Sequence, residues 1–299
     1  MTERGGLASD AAAMNTRDPR LTPLRAGLAD SRLRGIVEAE RFVDGWARRV
    51  VVPSAPLRGT PSASAGVDTE AVMGEPVTVY EERDGFAFVQ LGLDGYVGYL
   101  PEDALGSADP VPTYRVTALR TFLYPEPNMK RPTIGYLSLG ASFAAEECEG
   151  DFLRIGPEAY VFAAHVRDLQ HRQPDFCATA ERLIDTPYLW GGRTSLGLDC
   201  SGLVQLSLLM AGVACPRDTD MQEAALGEAL PAGLDDLQRG DLVFWKGHVG
   251  LMLDGSQLIH ANGHHMAVAV EPLREAVERI AEKSFGAVTS IRRLSQVAP

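Results

Sequence analysis

Apolar residues follow three regimes along the chain. Residues 1–20 are small, polar and mixed in charge, which predicts a poorly ordered arm. Between 28 and 49 apolar positions recur at helical spacing (Leu33, Ile36, Val37, Ala39, Phe42, Val43, Trp46), predicting one helix packed on the region C-terminal to it. From about 50 to 170 the pattern breaks into strand-sized runs punctuated by Gly, Asp and Pro. Beyond a linker at 171–174 the periods mix. Helical patterns cover 175–187, 200–212 and 273–283, and strand patterns cover DLVFWK, HVGLMLD, QLIHAN, AVAVEPL and a last run, VTSIRRL. Gly212 closes the most apolar helix. A helix followed by an antiparallel sheet is an α+β arrangement.

The middle region repeats itself. GEPVTVYEERDGFAFVQL (74–91) matches GASFAAEECEGDFLRIG (140–156), with Gly74 over Gly140 and Phe86 over Phe152. GYVGYLPEDAL (95–105) matches AYVFAAHVRDL (159–169), with Tyr96 over Tyr160. Two copies of about 60 residues, each a series of short strands, suit small all-β barrels. They resemble a tandem pair of bacterial SH3-like domains. The expected organisation is an arm and helix (1–49), a first SH3-like domain (50–109), a second (110–170) and a C-terminal domain (171–299). The second copy is expected to serve packing rather than ligand binding.

Charge narrows the partners. The chain has 299 residues, 28 Lys+Arg and 40 Asp+Glu, for a net charge of −12. The first 50 residues carry nine basic and seven acidic side chains, so the remainder carries −14. A surface that acidic repels phosphate backbones, and nucleic acid is not an expected partner. The longest apolar run, 203–215, is too short to span a bilayer and is broken by Gln205, Ser207 and Gly212, so no membrane association is expected. The opening residues lack the apolar core of a secretory signal, which gives a cytoplasmic expectation. The four cysteines (148, 177, 200, 215) form no CxxC pair or zinc-like spacing and are expected as free thiols.

One cysteine stands apart. Cys200 falls where a glycine-rich loop (188–199) enters the apolar helix, with Asp199 before it in a capping position. Unpaired N–H groups and the helix dipole there favour thiolate. Downstream, a three-residue turn (Asp254, Gly255, Ser256) pairs Leu253 with Gln257. His248 then faces Asn262, and His260 becomes its diagonal neighbour on the same face. A thiol needs a base and an imidazole needs an orienting group, so His248 and His260 fit those roles. His264 and His265 lie on a Gly/Asn-rich turn, and no metal or other cofactor is expected. Arg217 and Asp218 are expected to cap a turn.

PYLWGG (187–192), DCSGLVQ (199–205), CPRDTDMQ (215–222), RGDLVFW (239–245), GHVGLML (247–253) and IHANG (259–263) resemble, in order, the motifs of the NlpC-type papain-like cysteine peptidases. The resemblance implies a papain-like catalytic domain behind two SH3-like barrels, with Cys200 as nucleophile, His248 as base and His260 as orienting residue. It also implies a role for the Tyr188 hydroxyl beside the sulfur. The implied substrate is a peptidoglycan stem peptide cut between γ-D-glutamate and a diamino acid such as diaminopimelate. The subgroup with paired SH3-like modules implies recycling enzymes that require a free N-terminal L-Ala. For that ammonium group the expected contacts are Asp199, Ser201 and Thr219, with Glu70 and Tyr96 from the first SH3-like domain. Competing readings are a wall hydrolase using its SH3-like modules as anchors, a stem-peptide binding protein, and a thiol-dependent acyltransferase.

Overall fold

A computed structural model describes residues 17–294 except 147 and 232. The expectation of disorder for residues 1–16 lies outside the described residues. Asp18 and Arg20, assigned to the same arm, are instead held by hydrogen bonds.

No α-helix forms over residues 28–49, only a single 3-10 turn at Ser31–Leu33. The segment makes two short strands, Leu28–Asp30 and Arg41–Val43, and then Trp46–Val50, a full strand of the first barrel. Gly35 sits at φ +77°, which an α-helix cannot accommodate. A Cβ on Gly45 would lie 2.3 Å from the Thr78 side chain, so the chain runs flush against the barrel there. The apolar spacing served tertiary packing: Leu28 and Val43 cover Tyr80 and Phe88.

The first barrel sheet runs in the order Leu105–Gly106, Trp46–Val50, Pro76–Arg83, Phe86–Leu91, Val97–Pro101. A separate hairpin joins Ser54–Leu57 to Thr69–Val72. Inward residues such as Val77, Val79, Ala87 and Val89 fill the core, while Tyr80 and Phe88 belong to a second buried cluster with Leu28. The second unit repeats the order of elements. Each has an opening strand, a separate hairpin (Arg120–Leu123 with Gly135–Ser138 in the second), further antiparallel strands, a 3-10 turn and a strand returning to the first. The glycines matched by the repeat adopt the same backbone, φ +87° at Gly74 and +89° at Gly140.

The C-terminal domain is built on a six-stranded antiparallel sheet. Its order is Glu228–Ala229, Val288–Arg293, Leu242–Trp245, His248–Met252, Gln257–Asn262, Ala267–Pro272. Strand Leu242–Trp245 is buried on both faces. Leu242 and Phe244 enter the core shared with helix Cys200–Ala211, and Val243 and Trp245 enter the one shared with helix Leu273–Lys283. Eleven of the twelve residues of Cys200–Ala211 are buried, as its all-round apolar sequence requires. Gly212 ends it at φ +77°. A short helix unforeseen in the sequence, Thr219–Ala225, flanks the site. Among the described residues no helix is long and apolar enough to cross a membrane.

Candidate active site

Cys200 is the first residue of its helix, and Asp199 is the cap. One Asp199 oxygen accepts from the Gly202 N–H (2.7 Å) and the Ser201 hydroxyl (3.2 Å), and the other from the Gly191 N–H (2.9 Å). Arg217 grips both oxygens at 3.0 and 2.7 Å, and its side chain is 1% exposed. The turn-capping expectation for Arg217 is thereby replaced: it is the counter-ion of the carboxylate that caps the Cys200 helix. Glycine lets these pieces meet, since a Cβ on Gly202 would lie 2.3 Å from the Gly192 carbonyl.

The turn at 254–256 forms as expected. The Leu253 N–H donates to the Gln257 carbonyl, and Leu251 and Met252 pair with Ile259 and Leu258. The Asp254 carboxylate stabilises the turn by accepting from the N–H groups of Ser256 and Gln257. This register brings His248 Nε2 to 2.8 Å from His260 Nδ1. His260 Nε2 lies 2.6 Å from the Glu271 carboxylate, which Arg279 also contacts. Sequence reasoning missed Glu271, although the rule that paired the histidines reaches it: Ala269 faces His260, and Glu271 is two residues along on the same face.

This chain of contacts sets the tautomers. Glu271 accepts the Nε2 proton of His260, so neutral His260 accepts at Nδ1 from the Nε2–H of His248. His248 Nδ1 is left bare as the basic nitrogen. Burial raises the Glu271 carboxyl, but the hydrogen bond from His260 and the charge of Arg279 bring it below its ordinary value, so it stays ionised. The His260, His265 and Glu271 ligand atoms lie within 4.8 Å of one another, a spacing that would admit a metal. Both His260 nitrogens are already engaged, however, and His265 bonds Asn262, so these contacts hold the His248 and His260 rings in place.

Burial, with the repulsion of the second imidazole, pushes His248 down to about 3. Burial and the charge of Asp199 push the Cys200 thiol up to about 11, against Thr219 and the N–H groups of Val249 and Ser201. The resting pair is therefore neutral thiol and neutral imidazole, where the helix position alone had predicted thiolate. Phe285 stacks on the His248 ring at 5.2 Å and 5°, and Trp245 lies against it at 5.6 Å.

Cys200 and His248 open into a cleft of about 320 Å³ that Tyr188 and Trp190 also line. Burial and the charges of Cys200 and Asp199 raise the Tyr188 hydroxyl to about 12, so it stays protonated in the cleft it shares with the sulfur. Thr219 Oγ1 is 3.8 Å from the sulfur. Across the cleft stand Asp68 and Tyr96 from the first barrel with Asp218, Asp220 and Arg20. The Tyr96 hydroxyl donates to Asp218 Oδ2 at 3.0 Å. Burial and the Asp218 charge raise the Asp68 carboxyl above its usual range.

The structure thus brings Cys200, His248, Tyr188, Asp199, Ser201, Thr219 and Tyr96 to one cleft, with His260 behind His248. It does not bring Glu70, whose carboxylate accepts from the Arg193 N–H instead. Asp199 and Ser201 reach the wall, but Arg217 occupies both side chains, and Arg20 takes both oxygens of Asp220, so the cleft acids with an oxygen not held by an arginine are Asp68 and Asp218. No short-range pattern marks those two in the sequence. A wider surface hollow of about 810 Å³ on the first barrel, around Arg48, Arg58 and Glu82, holds no nucleophile or imidazole.

Residues 185–284 match the NlpC/P60 family, and residues 57–105 match the bacterial dipeptidyl-peptidase SH3 domain. A γ-D-glutamyl-L-lysine dipeptidyl-peptidase of Bacillus subtilis is 27% identical over 232 residues, covering 71% of this chain and 77% of the relative. A Bacillus cereus protein of the same name is 26% identical over 247 residues, covering 69% and 71%. The crystal structure of an NlpC/P60 family protein from Bacillus cereus superposes with a TM-score of 0.70 at 20% identity, over 83% of this chain and 99% of that one. Cys200, His248, His260 and Glu271 all fall within the matched segment, so this chain carries an NlpC/P60 cysteine peptidase domain behind a bacterial dipeptidyl-peptidase SH3 domain.

Proposed function

We propose that this peptidase hydrolyses the bond from γ-D-glutamate to a diamino acid in peptidoglycan stem peptides that carry a free N-terminal L-Ala. The observation that carries this is the acidic end of the cleft, which the first barrel and the catalytic domain build together. Asp68, one oxygen of Asp218 and the Tyr96 hydroxyl face the space where a substrate ammonium would sit. The names of the two Bacillus relatives, γ-D-glutamyl-L-lysine dipeptidyl-peptidases, support the bond class.

In this reading His248 Nδ1 takes the thiol proton as Cys200 Sγ attacks the γ-carbonyl carbon. N–H groups of the first helical turn and the Tyr188 hydroxyl stabilise the developing oxyanion. The imidazolium, backed by His260 and Glu271, protonates the departing amine of the diamino acid. The thioester left on Cys200 is then hydrolysed by a water that His248 deprotonates. In intact wall the L-Ala nitrogen is an amide, so an ammonium requirement restricts the enzyme to released peptides and suits cytoplasmic recycling. The second β unit, with its repeated order of elements, is taken as a second SH3-like module with a packing role.

The test is a mass-spectrometric cleavage assay on L-Ala-γ-D-Glu-diaminopimelate and its N-acetylated form. Losing a charge-assisted hydrogen bond is worth about 1.5–3 kcal/mol, so the free peptide should be cut roughly ten- to a hundredfold faster. Cys200→Ser should cut neither. Equal cleavage of both peptides would discard the ammonium pocket and favour the wall-hydrolase reading.

A further inference from the structure

Arg20 lies far from every motif, yet its guanidinium stands in the cleft. Its carbonyl accepts from the Val97 N–H at 2.7 Å, and the carbonyl of Leu21 accepts from the Gln90 side chain at 3.0 Å. Those two bonds lay the segment along the edge of the first barrel. The guanidinium then reaches the catalytic domain. Nη1 donates to Asp218 (2.7 Å) and Asp220 (2.9 Å), Nη2 to Asp220 and Asp18 (both 2.6 Å), and Nε to Asp18 (3.0 Å). A guanidinium has five N–H donors in a fixed plane, and three carboxylates take up all of them here. A side chain so held does not swing aside without stranding three acids.

We propose that Arg20 is a specificity-determining end stop: it closes the cleft just beyond the substrate's first residue, so that a peptide extended by even one residue at its N-terminus is excluded. The proposal rests on the ammonium reading of the acidic end and adds the group that limits length. Charge decides between a stop and an internal competitor for the ammonium site. Three carboxylates, those of Asp68, Asp218 and Asp220, line this end against the single guanidinium of Arg20, Asp18 adds a fourth from outside the lining, and Arg217 already balances Asp199. The end of the cleft therefore still attracts a cation with Arg20 in place. The other oxygen of Asp218 and the whole of Asp68 remain open to that cation, whereas chain preceding it would run into the guanidinium.

The experiment compares L-Ala-γ-D-Glu-diaminopimelate with the same peptide carrying one additional N-terminal Gly, on wild type, Arg20→Ala and Asp18→Asn. Asp18 holds Arg20 from outside the cleft lining, so Asp18→Asn loosens the stop without altering the pocket wall. Arg20→Ala should raise kcat/KM on the extended peptide at least tenfold, through KM, and reduce the preference for the shorter peptide by at least as much. Asp18→Asn should move the ratio the same way by a smaller factor, and it decides the matter should Arg20→Ala fail to fold. A wild-type preference that survives both substitutions unchanged overturns the end stop and leaves the ammonium reading standing. A wild-type enzyme that cuts both peptides equally overturns the two together.

Discussion

Opposing effects within a few ångströms of the Cys200 sulfur determine how that thiol rests. Helix N–H groups and Thr219 favour the anion, while burial and the Asp199 charge oppose it and prevail, with the thiol raised to about 11. His248, lowered to about 3, stays neutral across the working range. This gives a signed expectation for alkylation. Thiolate at Cys200 should increase about tenfold per pH unit from pH 6 to 10, without a plateau below the thiol's own titration. Iodoacetamide labelling of Cys200, followed by mass spectrometry so that exposed Cys148 is counted separately, measures it. A resting thiolate–imidazolium pair would instead label at a constant rate from about pH 5 upward. That result would mean the empty cleft admits enough water to reverse the burial effect.

At the scale of elements, short-range pattern was informative where one local rule set the geometry. The helix at 273–283, the cap before Cys200 and the three-residue turn that aligns His248 with His260 all arise from neighbours a few residues apart. The helix expected over 28–49 fails for the complementary reason: its apolar spacing belongs to strands whose partners lie elsewhere, and Gly35 breaks the period. Arg217 illustrates the same limit inside the site. Asp199 is legible as a cap, but nothing nearby in sequence says that its charge needs a partner 18 residues on. That buried pair makes Arg217→Met a severe change, leaving the Asp199 carboxylate unpaired under the catalytic helix. The expected loss is about 3–5 kcal/mol, or roughly 10 °C in Tm. Adding Asp199→Asn should restore much of it, as thermal melts of the single and double variants would read. A double variant no more stable than Arg217→Met would show that packing of the long side chain, rather than charge balance, holds the loop.

On the scale of the whole molecule, the acidic end of the cleft depends on the orientation in which the first barrel is docked, since Asp68 and Tyr96 come from that barrel. A buried polar junction sets that orientation. Arg193, in the loop before Cys200, pairs with Glu75 of the barrel and lies 3.6 Å from Asp94, and its backbone N–H donates to Glu70. Gln205 of the nucleophile's helix donates to Asp94 at 2.9 Å, and Asp94 in turn accepts from the Tyr96 N–H at 3.0 Å. A continuous path of contacts therefore runs from the helix that carries the nucleophile to the tyrosine at the acidic end of the cleft. Burial raises the Glu75 carboxyl, which the Arg193 charge opposes, so removing the guanidinium leaves two acids in a dry interface. Arg193→Met should thus act on docking rather than on chemistry. Its expected signature is a KM for the free-amine peptide raised at least tenfold with kcat nearly unchanged, a smaller preference over the acetylated peptide, and calorimetric unfolding that separates into two transitions. Glu75→Gln, which keeps a partner for the arginine, should do the same more weakly. Should Arg193→Met instead lower kcat at constant KM and still unfold in one transition, the junction would be shaping the Cys200 loop itself, and the barrel's hold on the cleft would have to lie in the apposition of Gly191 and Val67, where a Cβ on the glycine would sit 2.5 Å from the Val67 carbonyl.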